Sequence, residues 1–184
     1  MIRKIVGFLI LVLIVGIGYR AYALVGHGEP TPVASAAVRS DETVVDATAP
    51  LTGLPLATKM GTLDLRRYRG HVVYVNFFAS WCPPCNAEAP ALAALARTYA
   101  AKGLIVVGVD EGEGPSQALA FRNQYALPYP IAVDASGSAG RPFGASALPT
   151  QVIFDRHGAL AYQQAGMIDP DTFVAQLNTL LAAR

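Results

Sequence analysis

Cysteine is scarce in this 184-residue chain: Cys82 and Cys85 are the only two. Two thiols allow one disulfide and exclude the multi-bridge framework of small secreted folds. They also exclude a structural zinc site built from two cysteine pairs, because the second pair is missing. Histidine is nearly as rare, and His27, His71 and His157 show no ligand spacing, so no metal is assigned. A charge excess of one sign is absent too. The formal net charge is +1, which gives no footprint for nucleic acid or an acidic substrate. The short basic run Arg66-Arg67-Tyr68-Arg69 reads as a solvated turn. No internal repeat is visible, which sets solenoids and propellers aside. The length admits one domain of ordinary size plus short additions.

Apolar residues, by contrast, make up 53% of the chain, and part of them lies at the N-terminus. Met1-Ile2-Arg3-Lys4 precedes an apolar run from Ile5 to Tyr19, the pattern of an export signal. The run is shorter than the ~20 residues of a full span. Arg20 can snorkel to the far interface and let Ala21 to Val25 extend it. Ala21-Tyr22-Ala23 has the small-x-small pattern of a cleavage site. Residues 1–25 are read as a signal anchor in preference to a cleaved signal peptide, with Arg3 and Lys4 kept cytoplasmic. Residues 26–50, rich in Pro, Ala, Ser and Thr, read as a flexible linker. Residues 51–184 form the globular domain. This arrangement tethers the domain in the periplasm or outside the cytoplasmic membrane, or releases it if the signal is cleaved.

Within the domain, Thr62-Leu63-Asp64-Leu65 alternates like a short strand, and Val72–Phe78 reads as a central one. Pro83 and Pro84 suit a helix start. That helix carries Leu92, Leu95, Ala96 and Tyr99 at helical spacing, with Gly103 as its stop. Leu104–Val109 is a continuous apolar run of the kind buried in a parallel sheet. A helix over Pro115–Ala126, a strand over Tyr129–Val133 and a short helical piece at Ala139–Phe143 follow. Gln151–Phe154 and Leu160–Gln164 make a hairpin through Asp155-Arg156-His157-Gly158. Asp169-Pro170-Asp171 opens a last amphipathic helix. The alternation predicts an α/β fold, a mixed central sheet with helices on both faces.

Trp81-Cys82-Pro83-Pro84-Cys85 closes the central strand and opens the helix. A thiol at a helix N-terminus meets unpaired N–H groups and the positive end of the dipole, which lower its pKa. A second thiol one turn later can attack a mixed disulfide and release the product. A lone Cys-x-x-Cys reads as a redox dithiol or as half a metal site; without further ligands the dithiol is favoured.

Asn76-Phe77-Phe78-Ala79-Ser80-Trp81-Cys82-Pro83-Pro84-Cys85-Asn86-Ala87-Glu88-Ala89-Pro90 resembles the active-site segment of thioredoxin-fold proteins of the TlpA/ResA/DsbE group. Leu148-Pro149-Thr150, with the apolar strand and Asp155-x-x-Gly158 after it, resembles that group's cis-proline segment and hairpin. Glu111–Asp134 occupies the place of its helix–strand insertion. The resemblance implies a redox disulfide Cys82–Cys85, with Cys82 the exposed attacking thiol and Cys85 the more buried resolving one. It implies a cis Pro149 against the disulfide, with Leu148 and its neighbours free to pair with an extended substrate. Trp81, Pro83 and Pro84 would shape the docking surface. Plain thioredoxin carries a buried Asp where Asn76 stands, and Asn76 cannot titrate. Glu88, one helical turn after Cys85, matches a Glu of the ResA-like group and would take the proton of Cys85. Thr150 stands where some DsbE-type members carry an acidic residue after the proline, which favours the ResA/TlpA side, and the Pro-Pro dipeptide lacks the His that strongly oxidising relatives place between the cysteines.

The resemblance implies a thiol–disulfide oxidoreductase that reduces protein disulfides and needs no cofactor beyond its own dithiol. Its clients would include apocytochrome c in cytochrome c maturation, or copper-site assembly proteins. Its electrons would come from a DsbD- or CcdA-type membrane donor. Net oxidation or isomerisation of exported proteins, and Cu(I) binding through the two thiols, are the competing readings. A peroxide-reducing enzyme fits less well, since no peroxidatic cysteine segment is seen.

Overall fold

The computed structural model describes residues 47–183. The signal anchor, most of the linker and His27 lie outside the described residues. Val72–Phe78 is strand β1, and every residue of it is buried. A run of β-branched and aromatic residues without polar alternation suits a strand covered on both faces. Leu104–Glu111 (β2) lies parallel to it, from Val72 opposite Leu104 to Phe78 opposite Asp110. Ile131–Asp134 (β3) is parallel to β2. Thr150–Phe154 (β4) is antiparallel to β1, and Leu160–Ala165 (β5) is antiparallel to β4. The resulting order is β3-β2-β1-β4-β5.

Helix α1, Pro83–Tyr99, buries Cys85, Ala89, Leu92, Ala93 and Ala96, which share one side of a 3.6-residue period. Helices α2, Pro115–Gln124, and α3, Pro170–Ala182, bury Ala118, Phe121, Phe173 and Leu177 in the same core, against Tyr74, Phe78, Val106 and Ile153. The three helices therefore share one face of the sheet, a correction to helices on both faces. The opposite core, built on Val73, Val75, Phe77, Val107 and Phe154, is closed by 3-10 turns at Ala49–Leu51, Leu65–Tyr68 and Arg141–Phe143. Between β3 and β4 the chain spends Gly137 and Gly144 at positive φ (62° and 66°). Glycine in that region ends a helix instead of extending it.

The short strand expected at Thr62–Leu65 is also corrected. Thr62 makes one isolated bridge, to Pro55. Asp64 then caps the 3-10 turn, accepting from the backbone N–H of Arg66 at 3.1 Å and from its Nε at 2.8 Å. The alternation is real, since Leu63 and Leu65 are buried, but a capping carboxylate won over a ladder. Thr48 is buried as well, so the packed chain starts inside the segment read as linker.

Candidate active site

Strand β1 ends at Phe78, and the turn Ala79–Cys82 delivers the chain into α1. Cys82 is the N-cap of that helix; its Sγ accepts the N–H of Cys85 at 3.2 Å, and Pro83 takes the first helical position. The two cysteines form a disulfide with a Cα–Cα distance of 5.3 Å. Cys82 is only 2% exposed and Cys85 1%, so the exposed attacking thiol is not found in this oxidised state. The capping role explains it, because it turns Sγ inward to an N–H instead of outward to solvent. Trp81 is what faces solvent, at 68% exposure, with Pro83 exposed and Pro84 half-buried beside it.

Glu88 lies one turn beyond Cys85 and is 7% exposed. The β1–β4 register sets Asn76 opposite Gln151, and both amides serve the carboxylate. Asn76 Nδ2 donates to Glu88 Oε1 at 2.9 Å, and Gln151 Nε2 donates to both oxygens at 3.3 and 3.4 Å. Burial pushes the Glu88 carboxyl up to about 7, against the pull of the two amide donors. Among the described residues no cation opposes it, and the hydrogen bonds to the carboxylate come from neutral amides. Glu88 also borders an apolar groove of about 360 Å³ with Leu92, Leu95, Met167, Ile168 and Phe173.

The Leu148–Pro149 peptide is cis. Thr150 pairs with Phe77, which sets Pro149 at the end of the sheet from which the cysteine turn emerges. The Pro149 carbonyl accepts from Gly166 N–H at 2.7 Å, and Leu148 packs half-buried against both cores. At the same end of the sheet, Ser80 donates its N–H and its hydroxyl to Glu113 at 2.5 and 2.7 Å. Asp110 is fully buried, and burial with the charges of Glu113 and Glu111 raises its carboxyl to about 7. Glu111 rises to about 7 through burial and the neighbouring Asp134. Among the described residues no cluster of His, Cys, Asp or Glu is arranged to hold a metal ion. His71 and His157 are exposed beside turns.

Residues 43–163 match the AhpC/TSA family. The chain belongs to that family. Among relatives, the thiol-disulfide oxidoreductase ResA of Bacillus anthracis is 32% identical over 104 residues, 56% of this chain and 60% of the relative. The match thus spans about 60% of the ResA length. The thiol:disulfide interchange protein DsbE of Allochromatium vinosum is 31% identical over 141 residues, 76% of each chain. A solved structure from Chlorobium tepidum, described as a candidate DsbE, superposes with a TM-score of 0.64 at 32% identity, covering 71% of this chain and 92% of its own. The fold is thioredoxin-like, with a mixed sheet and helices.

In this AhpC/TSA member the structure brings Trp81, Cys82, Pro83, Pro84, Cys85 and Glu88 together on one turn and the helix it opens, with Leu148 and Pro149 at the same end of the sheet. Sequence reasoning missed Gln151, Asp110, Glu113 and Asn86. Gln151 left a signal: it is a large polar side chain inside a strand that is buried throughout. Such a residue needs a partner.

Proposed function

We propose that the protein is an extracytoplasmic thiol–disulfide oxidoreductase that reduces disulfides in client proteins through Cys82 and Cys85. The observation that carries this reading is Glu88: a buried carboxyl with a pKa of about 7, one turn from Cys85 and paired only with amides. A group poised there can accept a thiol proton near neutral pH and give it back. The names of the ResA and DsbE relatives support the same chemistry.

In the reduced protein the Cys82 thiolate attacks one sulfur of a client disulfide. A Cys82–client S–S bond forms, the client bond breaks, and the departing client thiolate takes a proton. Glu88 accepts the proton of Cys85, whose thiolate attacks Cys82 Sγ. The Cys82–Cys85 bond forms and the second client sulfur leaves as a thiolate that takes up a proton from Glu88 or solvent, so two electrons pass to the client. The groove beside Glu88 gives the proton a way to solvent. Trp81, Pro83, Pro84 and Leu148 form the surface on which an extended client segment docks, beside the cis Pro149. The dithiol is the only redox group this cycle needs.

The oxidised protein must then be re-reduced. Outside the cytoplasm that calls for a dithiol donor fed across the membrane, and a DsbD- or CcdA-type protein fits. The Arg3-Lys4 start and the apolar run to Tyr19 support a membrane tether. Apocytochrome c, whose haem-binding thiols must stay reduced, is the client this reading favours.

The test is in vivo trapping. Cys85→Ala removes the resolving thiol, and the mixed disulfide on Cys82 should accumulate with client proteins attached. Recovery of small thiols alone, or of no adduct, would overturn the client-reductase reading. A reduction potential well above that of glutathione would instead indicate net oxidation.

A further inference from the structure

The segment between β2 and β3 grips the cysteine turn from both ends of its helix α2. Just before α2, Glu113 accepts the N–H and hydroxyl of Ser80. Directly after α2, Tyr125 donates its hydroxyl to Asn86 Oδ1 at 2.7 Å. Asn86 in turn donates from Nδ2 to the carbonyls of Ser80 (2.9 Å) and Cys82 (2.7 Å). Between these grips, Phe121 of α2 stacks on Phe78 at the end of β1, with centroids 4.5 Å apart, and leans on Tyr125 at 4.8 Å. The turn carrying the first thiol is thus tied to one helix by a carboxylate, a phenol and an aromatic stack.

None of these groups is needed by the exchange chemistry itself. A carboxylate accepting a backbone N–H is among the stronger hydrogen bonds. Here it is spent on a turn whose only special content is Trp81 and Cys82. Thiol–disulfide exchange places demands on the direction of attack, and small misplacements of a reacting atom cost rate. We propose that α2 and its flanks brace the dithiol, with Glu113 and Tyr125 as positioning residues that fix where Trp81 and Cys82 sit. This rests on the reading of Cys82–Cys85 as a redox dithiol.

Trp81 is the chain's single tryptophan, so its emission and its quenching by acrylamide report the turn directly. The variants are Glu113→Ala, Glu113→Gln and Tyr125→Phe. Glu113→Ala and Tyr125→Phe should each increase Trp81 quenching and slow single-turnover attack of the reduced protein on oxidised glutathione, by about tenfold for the carboxylate. Combined, they should lose less than the product of the single effects, because both act on one turn. Glu113→Gln, which keeps an acceptor for Ser80, should recover most of the loss. Should Glu113→Ala fail to fold, Tyr125→Phe removes a single oxygen, keeps the ring against Phe121 and carries both readouts. Natively folded variants with wild-type quenching and rates within about twofold of wild type would overturn the brace. A wild-type protein that does not exchange with glutathione would overturn the redox reading instead, while Trp81 quenching still decides the brace.

Discussion

At the scale of the residue, Glu88 decides most. Its neighbours are amides, so its proton affinity is set by burial and not by an ion pair. Resolution of a mixed disulfide should therefore speed up as pH rises through about 7, where the Glu88 carboxyl ionises. Glu88→Gln keeps the side-chain volume and removes the titration. We expect it to slow resolution about a hundredfold at pH 7 and to abolish that inflection, measured by stopped-flow release from a preformed Cys82 mixed disulfide. An unchanged rate and pH profile would reduce Glu88 to a packing residue. The placement of Glu88 one turn from Cys85 was readable from their spacing along one helix, and the proposed role came with it from the resemblance to the ResA-like group. The amide cradle of Glu88 was not readable, because only the register of β1 against β4 sets Asn76 opposite Gln151. The burial of Cys82 was equally hidden, since it depends on Sγ acting as a cap.

At the scale of the element, Arg156 in the β4–β5 turn ties three segments together outside the site. Its guanidinium donates to the carbonyls of Gly70 (2.7 Å), Leu181 (3.0 Å) and Ala183 (3.1 Å). Two of those carbonyls end α3, where helix geometry leaves acceptors without partners, and the third precedes β1. Arg156→Ala should cost about 1–3 kcal/mol of stability, seen as a lower urea midpoint, while exchange with glutathione is retained. A midpoint equal to wild type would show these bonds to be replaced by water without loss. The main helices and strands were legible here because their periods and stops are strong: Gly103 takes φ 91° after the α1 region, as its position in the sequence suggested. The short helical piece expected at Ala139–Phe143 is present as the 3-10 turn Arg141–Phe143; that the three α-helices all pack on the other face was not legible, because it depends on which core each one joins.

At the scale of the whole molecule, Glu88, Asp110 and Glu111 are all raised to about 7, above the range near 4 of unfolded carboxylates. Between about pH 4 and 7 the native protein then binds more protons than the unfolded chain, and stability must fall as pH rises across that window. Each tenfold gain in native proton affinity is worth about 1.4 kcal/mol, so the oxidised protein should be at least about 2 kcal/mol more stable at pH 5 than at pH 8. Asp64 and Asp169 shift the opposite way, but they are solvated caps and act below this window. Urea unfolding at the two pH values checks it; equal or higher stability at pH 8 would contradict the burial of these groups.

The cap at Cys82 has a consequence for the cycle as a whole. In the oxidised protein the first turn of α1 is closed by a covalent bond between Cys82 and Cys85. On reduction that strap is lost, but in the proposed cycle Cys82 reacts as a thiolate, and the sulfur that accepts the Cys85 N–H would then cap the helix as a charged acceptor, more strongly than a neutral one. One state fastens the helix start by covalent chemistry and the other by electrostatics. On that cycle electrons would enter and leave without the helix unwinding and reforming, and conformational repair would not limit how fast the protein cycles.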